Sequence, residues 1–336
     1  MNHSNQKNSA QNCNQLSFAF ETFRSECKKI LDDWHSVLRK QSVPPHVYHY
    51  TNDKGLMGIL ESGKLWFTDI FSLNDPSELR HGVSLAIKKF GIMAENISKK
   101  HAIISRKFRE IFDEGVLIND GIQGIAHFFT CSFSKCGDDL GQWRAYADNG
   151  HGFALCFDVM GLENVFVYSV TTDKFARETF PLVYDDSRLV EVHEKLIDNT
   201  LAYIQVLDGA GIPEMPEELL RDNLRQLYIE LAKYIVTISI YFKHAGYANE
   251  VEYRFFELHV AGSRPEVRFR ARNNSLVKYR EFDWKSAGAD VLRKIVIGPA
   301  ANFEKSKEFA EECLRRAGFD PASIEITQSK IPYQPA

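Results

Sequence analysis

Short segments in which apolar and polar residues alternate recur along this chain, and amphipathic segments of unequal length separate them. The two-residue period of a strand is found in HVYHYT, HFFTCSF, FALCF, VFVYSV and VEYRFFEL. Helices of uneven length between hairpin-like strands favour an α+β fold over a regular parallel one. The pattern therefore predicts a mixed or antiparallel sheet core with several long helices.

The domain organisation follows from where the composition changes. Residues 1–15 are rich in Asn, Gln and Ser, which predicts a flexible tail. Residues 16–45 have helical spacing and end at two prolines, so they predict an N-terminal helix. The remainder, 46–333, is interpreted as a single α+β domain with a helical insertion at about 187–244.

Composition and charge limit the classes of partner. Apolar residues make up 44% and charged residues 26% of the 336, as in ordinary globular proteins. A net charge of -4 provides no global attraction to nucleic acid or membranes, although a local basic stripe stays open. The longest apolar run, Tyr234 to Phe242, is far shorter than the roughly 20 residues that cross a bilayer. With no apolar signal segment at the N-terminus, we expect a cytoplasmic protein without a membrane partner.

The cysteines and histidines do not form a metal-binding pattern. The six cysteines show no C-x-x-C pair. His127, Cys131 and Cys136 lack a second ligand pair at matching spacing. We therefore expect buried free thiols and no metal.

The most informative polar motif is E-x-E-x-R in a late strand. A two-residue period places Glu250, Glu252 and Arg254 on one strand face. One interpretation is a solvated face with an ion pair of little energetic value. The other is a carboxylate held near a developing positive charge, with Arg254 orienting it or binding phosphate.

Polar residues in the first strand and the turn after the second are further candidates. His49 and Thr51 share one face of the first strand, and Tyr50 lies on the other. A strand histidine is more often structural, but His49 can donate to a sugar hydroxyl if its face lines a cleft. Asn74, in the turn LNDPSE, has the chemistry of a turn or cap residue and is also a binding candidate.

Two aromatic residues in the middle of the chain have helical spacing. Trp143 and Tyr146 lie three residues apart, so one helical turn would place them on the same side. Core packing explains such a pair. An aromatic wall for a flat ring, such as nicotinamide or adenine, is the alternative.

Five motifs in order carry a family resemblance: Y-H-Y-T, L-N-D-P-S-E, W-R-x-Y-A, E-x-E-Y-R and I-x-I-G-P. Over about residues 47–332 the chain resembles a bacterial family known as domain of unknown function 2971. That resemblance implies no particular chemistry.

A more distant resemblance implies a function. A histidine on the first strand, aromatic residues in the middle and a late E-x-E are similar in order to the ADP-ribosyltransferases. The resemblance implies that NAD is the substrate, that His49 holds its ribose or amide, that Tyr146 stacks on nicotinamide and that Glu252 binds the ribose 2′-hydroxyl. Glu250 would deprotonate an acceptor, and the further binding candidates are Tyr50, Thr51, Asn74, Trp143 and Arg254.

The expected function is thus an NAD-consuming ADP-ribosyltransferase or NAD glycohydrolase, serving as a toxin or phage-defence effector. Its acceptor is unknown, with protein and nucleic acid both open. One alternative is a noncatalytic nucleotide-binding or sensing module that uses the same cleft. Another is a metal-dependent hydrolase or nuclease built from Asp75, Glu78, Glu250 and Glu252.

Overall fold

A computed structural model describes most of the chain, namely residues 3–73, 77–95, 126–167, 175–209, 217–260, 262–263, 265–272 and 274–333. The chain divides into two compact units. The helical unit consists of Met1–Lys40, Asp75–Ile125 and Val183–Ala245. The sheet unit consists of Gln41–Asn74, Ala126–Leu182 and Gly246–Ala336.

The helices are α1 (His3–Arg39), α2 (Asp53–Ser62), α3 (Ser77–Glu95), α4 (Leu140–Tyr146), α5 (Val159–Val167), α6 (Asp186–Gly209), α7 (Glu217–Ser239) and α8 (Phe303–Arg316). The strands are β1 (His46–Thr51), β2 (Lys64–Asp69), β3 (Ala126–Ser134), β4 (Phe153–Asp158), β5 (Phe175–Pro181), β6 (Glu252–Val260), β7 (Arg268–Arg272), β8 (Ser275–Asp283), β9 (Leu292–Ile297) and β10 (Glu325–Gln328).

The helical unit contains α1, α3, α6 and α7. Buried aromatic contacts tie α1 to the rest of this unit: the rings of Phe23 and Tyr203 of α6 are 5.8 Å apart, and those of Trp34 and Phe242, which follows α7, are 4.9 Å apart. Because α1 begins at His3, most of the predicted flexible tail is helical instead. Once the packed part of a helix has formed, each added residue gains a hydrogen bond without a new nucleation cost, so weak helix formers can extend it.

The sheet unit contains all ten of the strands named above in one sheet. The main order is β10-β9-β4-β1-β3-β2-β8-β7, and β6 pairs with β3 and β5. The β9–β10 pair is parallel and the other pairs are antiparallel. The predicted α+β class with a mixed sheet is confirmed.

One face of this sheet, called the core face, packs against α2, α5 and α8. Its apolar side chains come from alternate strand residues such as Val47, Phe133, Leu155 and Phe255. The strand predicted at 165–170 is wrong as far as it is described, because α5 continues to Val167. Tertiary packing overrides the β propensity of this segment, since helical spacing brings the α5 residues Val159, Leu162 and Phe166 into the core. Residues 168–170 lie outside the described part.

Within the described ranges, no helix combines the length and apolarity that crossing a bilayer requires.

Candidate functional site

A buried ion pair lies at the beginning of β6. Nε and Nη2 of Arg254 donate to Oε1 of Glu252 at 2.9 and 2.8 Å. Glu252 is only 4% exposed and Arg254 only 1%. The E-x-R part of the motif is therefore not a solvated strand face. Each of the two charges can be buried because the other neutralises it.

Glu250 does not belong to that strand face, which corrects the prediction from the two-residue period. It ends the 3₁₀ segment Ala245–Glu250, and β6 starts two residues later. Val251 between them has a φ of 41°, a left-handed conformation that is rare for a β-branched residue. This conformation is held by local hydrogen bonds, because the Ser134 hydroxyl donates to the Glu250 carbonyl at 2.9 Å and the Lys135 N–H donates to the Val251 carbonyl at 3.1 Å.

The Glu250 carboxylate instead meets a tyrosine. The Tyr146 hydroxyl, at the end of α4, donates to Oε1 of Glu250 at 3.0 Å. Tyr146 is 37% exposed, and Glu250 is half-buried. Glu250 is therefore the more accessible of the two carboxylates of the motif.

The other two aromatic candidates pack against each other. Trp143 is fully buried, and its ring meets that of Tyr50 edge-on at 4.8 Å. The indole N–H donates to Asp138 at 2.8 Å, and the Tyr50 hydroxyl donates to the Cys136 carbonyl at 2.9 Å. Burial raises the pKa of Tyr50. These contacts are those of a packed cluster, so Trp143 and Tyr146, although on one helix, occupy different environments.

His49 lies on the face of the sheet opposite to Glu252. Directly opposed residues of neighbouring strands share a face, and both Tyr48 and Glu252 oppose Ser134. His49, one residue after Tyr48, must then point to the core face, where its ring lies 5.6 Å from that of Phe133. Thr51 shares the face of His49. The structure therefore does not bring His49 and Thr51 together with the β6 ion pair.

The local environment of His49 is that of a packed histidine. Its Nδ1 is 3.3 Å from the carbonyl oxygen of Ser132. Burial lowers the pKa of His49, and the contact with the Ser132 carbonyl offsets this only in part.

The remaining predicted residues fall outside what is described. Asn74 and Asp75 lie outside the described residues, and nothing is described of the Glu78 side chain. Among the side chains that are described, no group of three or more His, Cys, Asp or Glu is placed to hold a metal ion.

Comparison with known proteins identifies one family. The model of a family described as a protein of unknown function, DUF2971, matches residues 142–255. Over these residues, which are less than half of the chain, the chain is similar to the DUF2971 family. No curated protein and no solved structure matches the chain.

The DUF2971 segment contains both partners of the two side-chain pairs at the start of β6. Tyr146 and Glu250 lie within it, as do Glu252 and Arg254. His49, Tyr50, Thr51 and Asn74 lie before it. The match thus covers these two pairs and not the first-strand candidates.

A second charged cluster, which the sequence analysis missed, is centred on Glu257. This residue is 1% exposed, and its carboxylate accepts from Arg177 at 2.8 Å and from Arg280 at 2.9 Å. Nε2 of His259 lies 3.5 Å from Oε2. Burial raises the pKa of Glu257, but His259 and the two guanidinium groups together lower it by more. The signal in the sequence is a charged residue at a core-face position of β6.

A cavity of about 500 Å³ adjoins this cluster. It is lined by Lys64, Val165, Arg177, Glu266, Arg268, Arg280, Glu281, Phe282, Asp283 and Ser286. Its charges are largely paired, since Lys64 is 2.7 Å from Asp283 and Arg268 is 3.4 Å from Glu281. The strands that form it are far apart in the sequence.

Proposed function

We propose that the protein is an NAD-consuming ADP-ribosyltransferase or NAD glycohydrolase of the cytoplasm, with Glu250 as the carboxylate that faces the substrate. The observation that supports this proposal is the hydrogen bond from Tyr146 to Glu250, at the accessible end of the E-x-E motif. When the bond between C1′ and nicotinamide breaks, nicotinamide leaves with the electron pair and the ribose acquires positive charge. A fixed carboxylate stabilises such a charge.

The residues around Glu250 have supporting roles in this proposal. The phenol of Tyr146 holds the carboxylate in one orientation, and the strained Val251 separates it from the buried Glu252. Arg254 occupies Oε1 of Glu252, so Glu252 acts as a positioning residue for the start of β6. Glu250 then takes the proton of the acceptor or of water as the new bond to C1′ forms.

The test measures nicotinamide release from NAD by the purified protein, with and without host lysate and nucleic acid. Glu250→Gln should lower the rate by about a hundredfold or more, since the charge is lost while the shape is kept. Tyr146→Phe should lower it less, because the carboxylate remains. Glu312→Gln is the matched control, since Glu312 is 58% exposed and accepts a hydrogen bond from Arg315 at 2.6 Å.

The proposal would be contradicted if the folded wild-type protein released no nicotinamide under any of these conditions. Full activity of Glu250→Gln would also remove it. If release depends on Glu250, labelled NAD then shows whether protein or nucleic acid accepts the ADP-ribose. A toxin or phage-defence role, which we propose with it, requires that wild type but not Glu250→Gln arrests host growth.

The burial of Glu252 favours a second candidate, a noncatalytic nucleotide-binding module. A carboxylate that is 4% exposed and bound by Arg254 has the environment of a structural residue. If the protein is such a module, calorimetry should detect NAD binding without nicotinamide release. Glu250→Gln should then lower the affinity for NAD only modestly.

A further inference from the structure

One edge of the sheet unit carries a row of arginines beside an exposed tryptophan. The strand β7 contains three arginines and no acidic residue, in a chain whose net charge is -4. In the described part of the sheet, β7 is the end strand of the main order. This edge is therefore locally basic although the whole chain is acidic.

Strand register places the arginines and the tryptophan on one face. Arg268 opposes Tyr279, and Tyr279 opposes Thr68 of β2. Alternate residues of each strand share that face, so Arg270 and Arg272 join Arg268. Trp66 lies two residues before Thr68 and shares it too. We call this set the arginine face: Trp66, Arg268, Arg270, Arg272 and Tyr279.

Aromatic and cationic groups stack within the arginine face. The guanidinium carbon of Arg270 lies 5.3 Å from the centre of the Trp66 ring, and the rings of Trp66 and Tyr279 are 4.4 Å apart. Trp66 is 43% exposed, although burying an indole would be more favourable in water. An exposed ring next to a guanidinium plane is a surface on which a nucleic-acid base can stack.

The charge of Arg270 is not neutralised by a carboxylate. Its Nη2 donates to the Thr68 hydroxyl at 3.3 Å, while its Nε is buried with no hydrogen-bond partner. Among the described residues, no carboxylate lies within ion-pair distance of Arg270, in contrast to Arg268, which is 3.4 Å from Glu281. Burial and the nearby charge of Arg272 lower the pKa of Arg270. An anion placed here would neutralise the charge of Arg270.

We propose that the arginine face binds single-stranded nucleic acid, with bases stacking on Trp66 and Arg270 and a phosphate contacting Arg270. Charge complementarity favours a polyanion, and the exposed ring favours one with unpaired bases over an acidic peptide or an anionic lipid. Base pairs in a duplex stack on each other and leave no free face for Trp66. This site is separate from the β6 carboxylates and does not depend on the NAD proposal.

The experiment uses the full chain and a fluorescein-labelled oligothymidylate of about 20 nucleotides, with the matching oligouridylate, and follows anisotropy between about 50 and 200 mM salt. Trp66→Ala should weaken binding by about tenfold, the usual effect of removing one stacking platform. Arg270→Gln should weaken binding and reduce the slope of log affinity against log salt by about 0.7, the value for one phosphate contact of a single strand. Arg270→Lys should keep the slope but weaken binding, because lysine keeps the charge and loses the planar stack.

Matched controls come from the same two strands. Phe269 is 53% exposed and opposes Lys278, which is also exposed, and both point to the other face of the strands. Phe269→Ala and Lys278→Gln should therefore leave the affinity within about twofold of wild type. Any change in Lys278→Gln should be no more than the small general effect of removing one charge. Thermal melting of each variant reports whether the fold is kept, and Trp66→Leu replaces Trp66→Ala if the latter unfolds.

Three results would overturn the proposal. The first is no anisotropy change with either oligonucleotide at the lowest salt. The second is binding that Trp66→Ala and Arg270→Gln leave unchanged. The third is stronger binding to a duplex of the same length, or to phosphatidylserine vesicles, with the same sensitivity to these variants.

Discussion

Arg254 and Glu252, two residues apart on β6, form a buried ion pair in which two guanidinium nitrogens share one carboxylate oxygen at 2.9 and 2.8 Å. Both side chains point away from the core face, as the register with Ser134 and Ser132 requires. The pair lies in the first three residues of β6, directly after the strained Val251. Its loss should therefore affect the fold more than an exposed pair would.

Replacing one partner of this pair should destabilise the protein strongly. We expect Glu252→Gln to lower the free energy of unfolding by about 3 to 5 kcal/mol, because it removes the negative charge next to the buried guanidinium of Arg254. Urea denaturation followed by circular dichroism measures this. Glu312→Gln, which breaks an exposed pair with Arg315, should cost less than about 1 kcal/mol. Equal effects of the two substitutions would show that burial of the Glu252 pair has no energetic consequence.

His193 in α6 should make stability fall in acid. It is fully buried, neither ring nitrogen has a hydrogen-bond partner among the described residues, and burial lowers its pKa from 6.5 to about 3. His193 therefore takes up a proton below about pH 6.5 in the unfolded chain, but only near pH 3 in the folded chain. The contribution of His193 to the free energy of unfolding is therefore fully present above pH 6.5. It is lost as the pH falls, and the loss reaches about 2 kcal/mol at pH 5.

The measurement for His193 compares thermal melting at pH 7.5 and pH 5 in wild type and in His193→Leu. The leucine variant should lose this part of the pH dependence, whereas substitution of the exposed His151 by glutamine should keep it. An unchanged pH dependence in His193→Leu would assign the acid sensitivity to other groups.

Two glycines should respond to alanine in opposite directions. A Cβ on Gly298 would lie 2.2 Å from the carbonyl oxygen of Gly150, so Gly298→Ala should destabilise by about 1 to 3 kcal/mol. A Cβ on Gly58, within α2, would meet nothing within 4 Å. Gly58→Ala should therefore stabilise by about 0.5 to 1 kcal/mol. Chemical denaturation of both variants checks the pair, and effects of the same sign would contradict the prediction.

The sequence by itself determined the local structure of β1, α2 and most of β6. The two-residue period of HVYHYT and VEYRFFEL predicts β1 and most of β6, and Asn52 and Gly63 cap α2 at its two ends as their chemistry implies. These features depend on residues that are neighbours in the chain, so their pattern can be recognised without the fold. The mixed α+β class follows from the order of such segments.

Tertiary structure decided which candidates meet. His49 and Glu252 both lie on strands, but only the pairing of β1 and β6 with β3 sets them on opposite faces. Shifting a register by one residue exchanges the faces, and no local pattern reports that shift between segments about 200 residues apart. The same holds for the φ of Val251, the burial of Arg254 and the meeting of Arg270 with Trp66, since each is imposed by packing between distant parts of the chain.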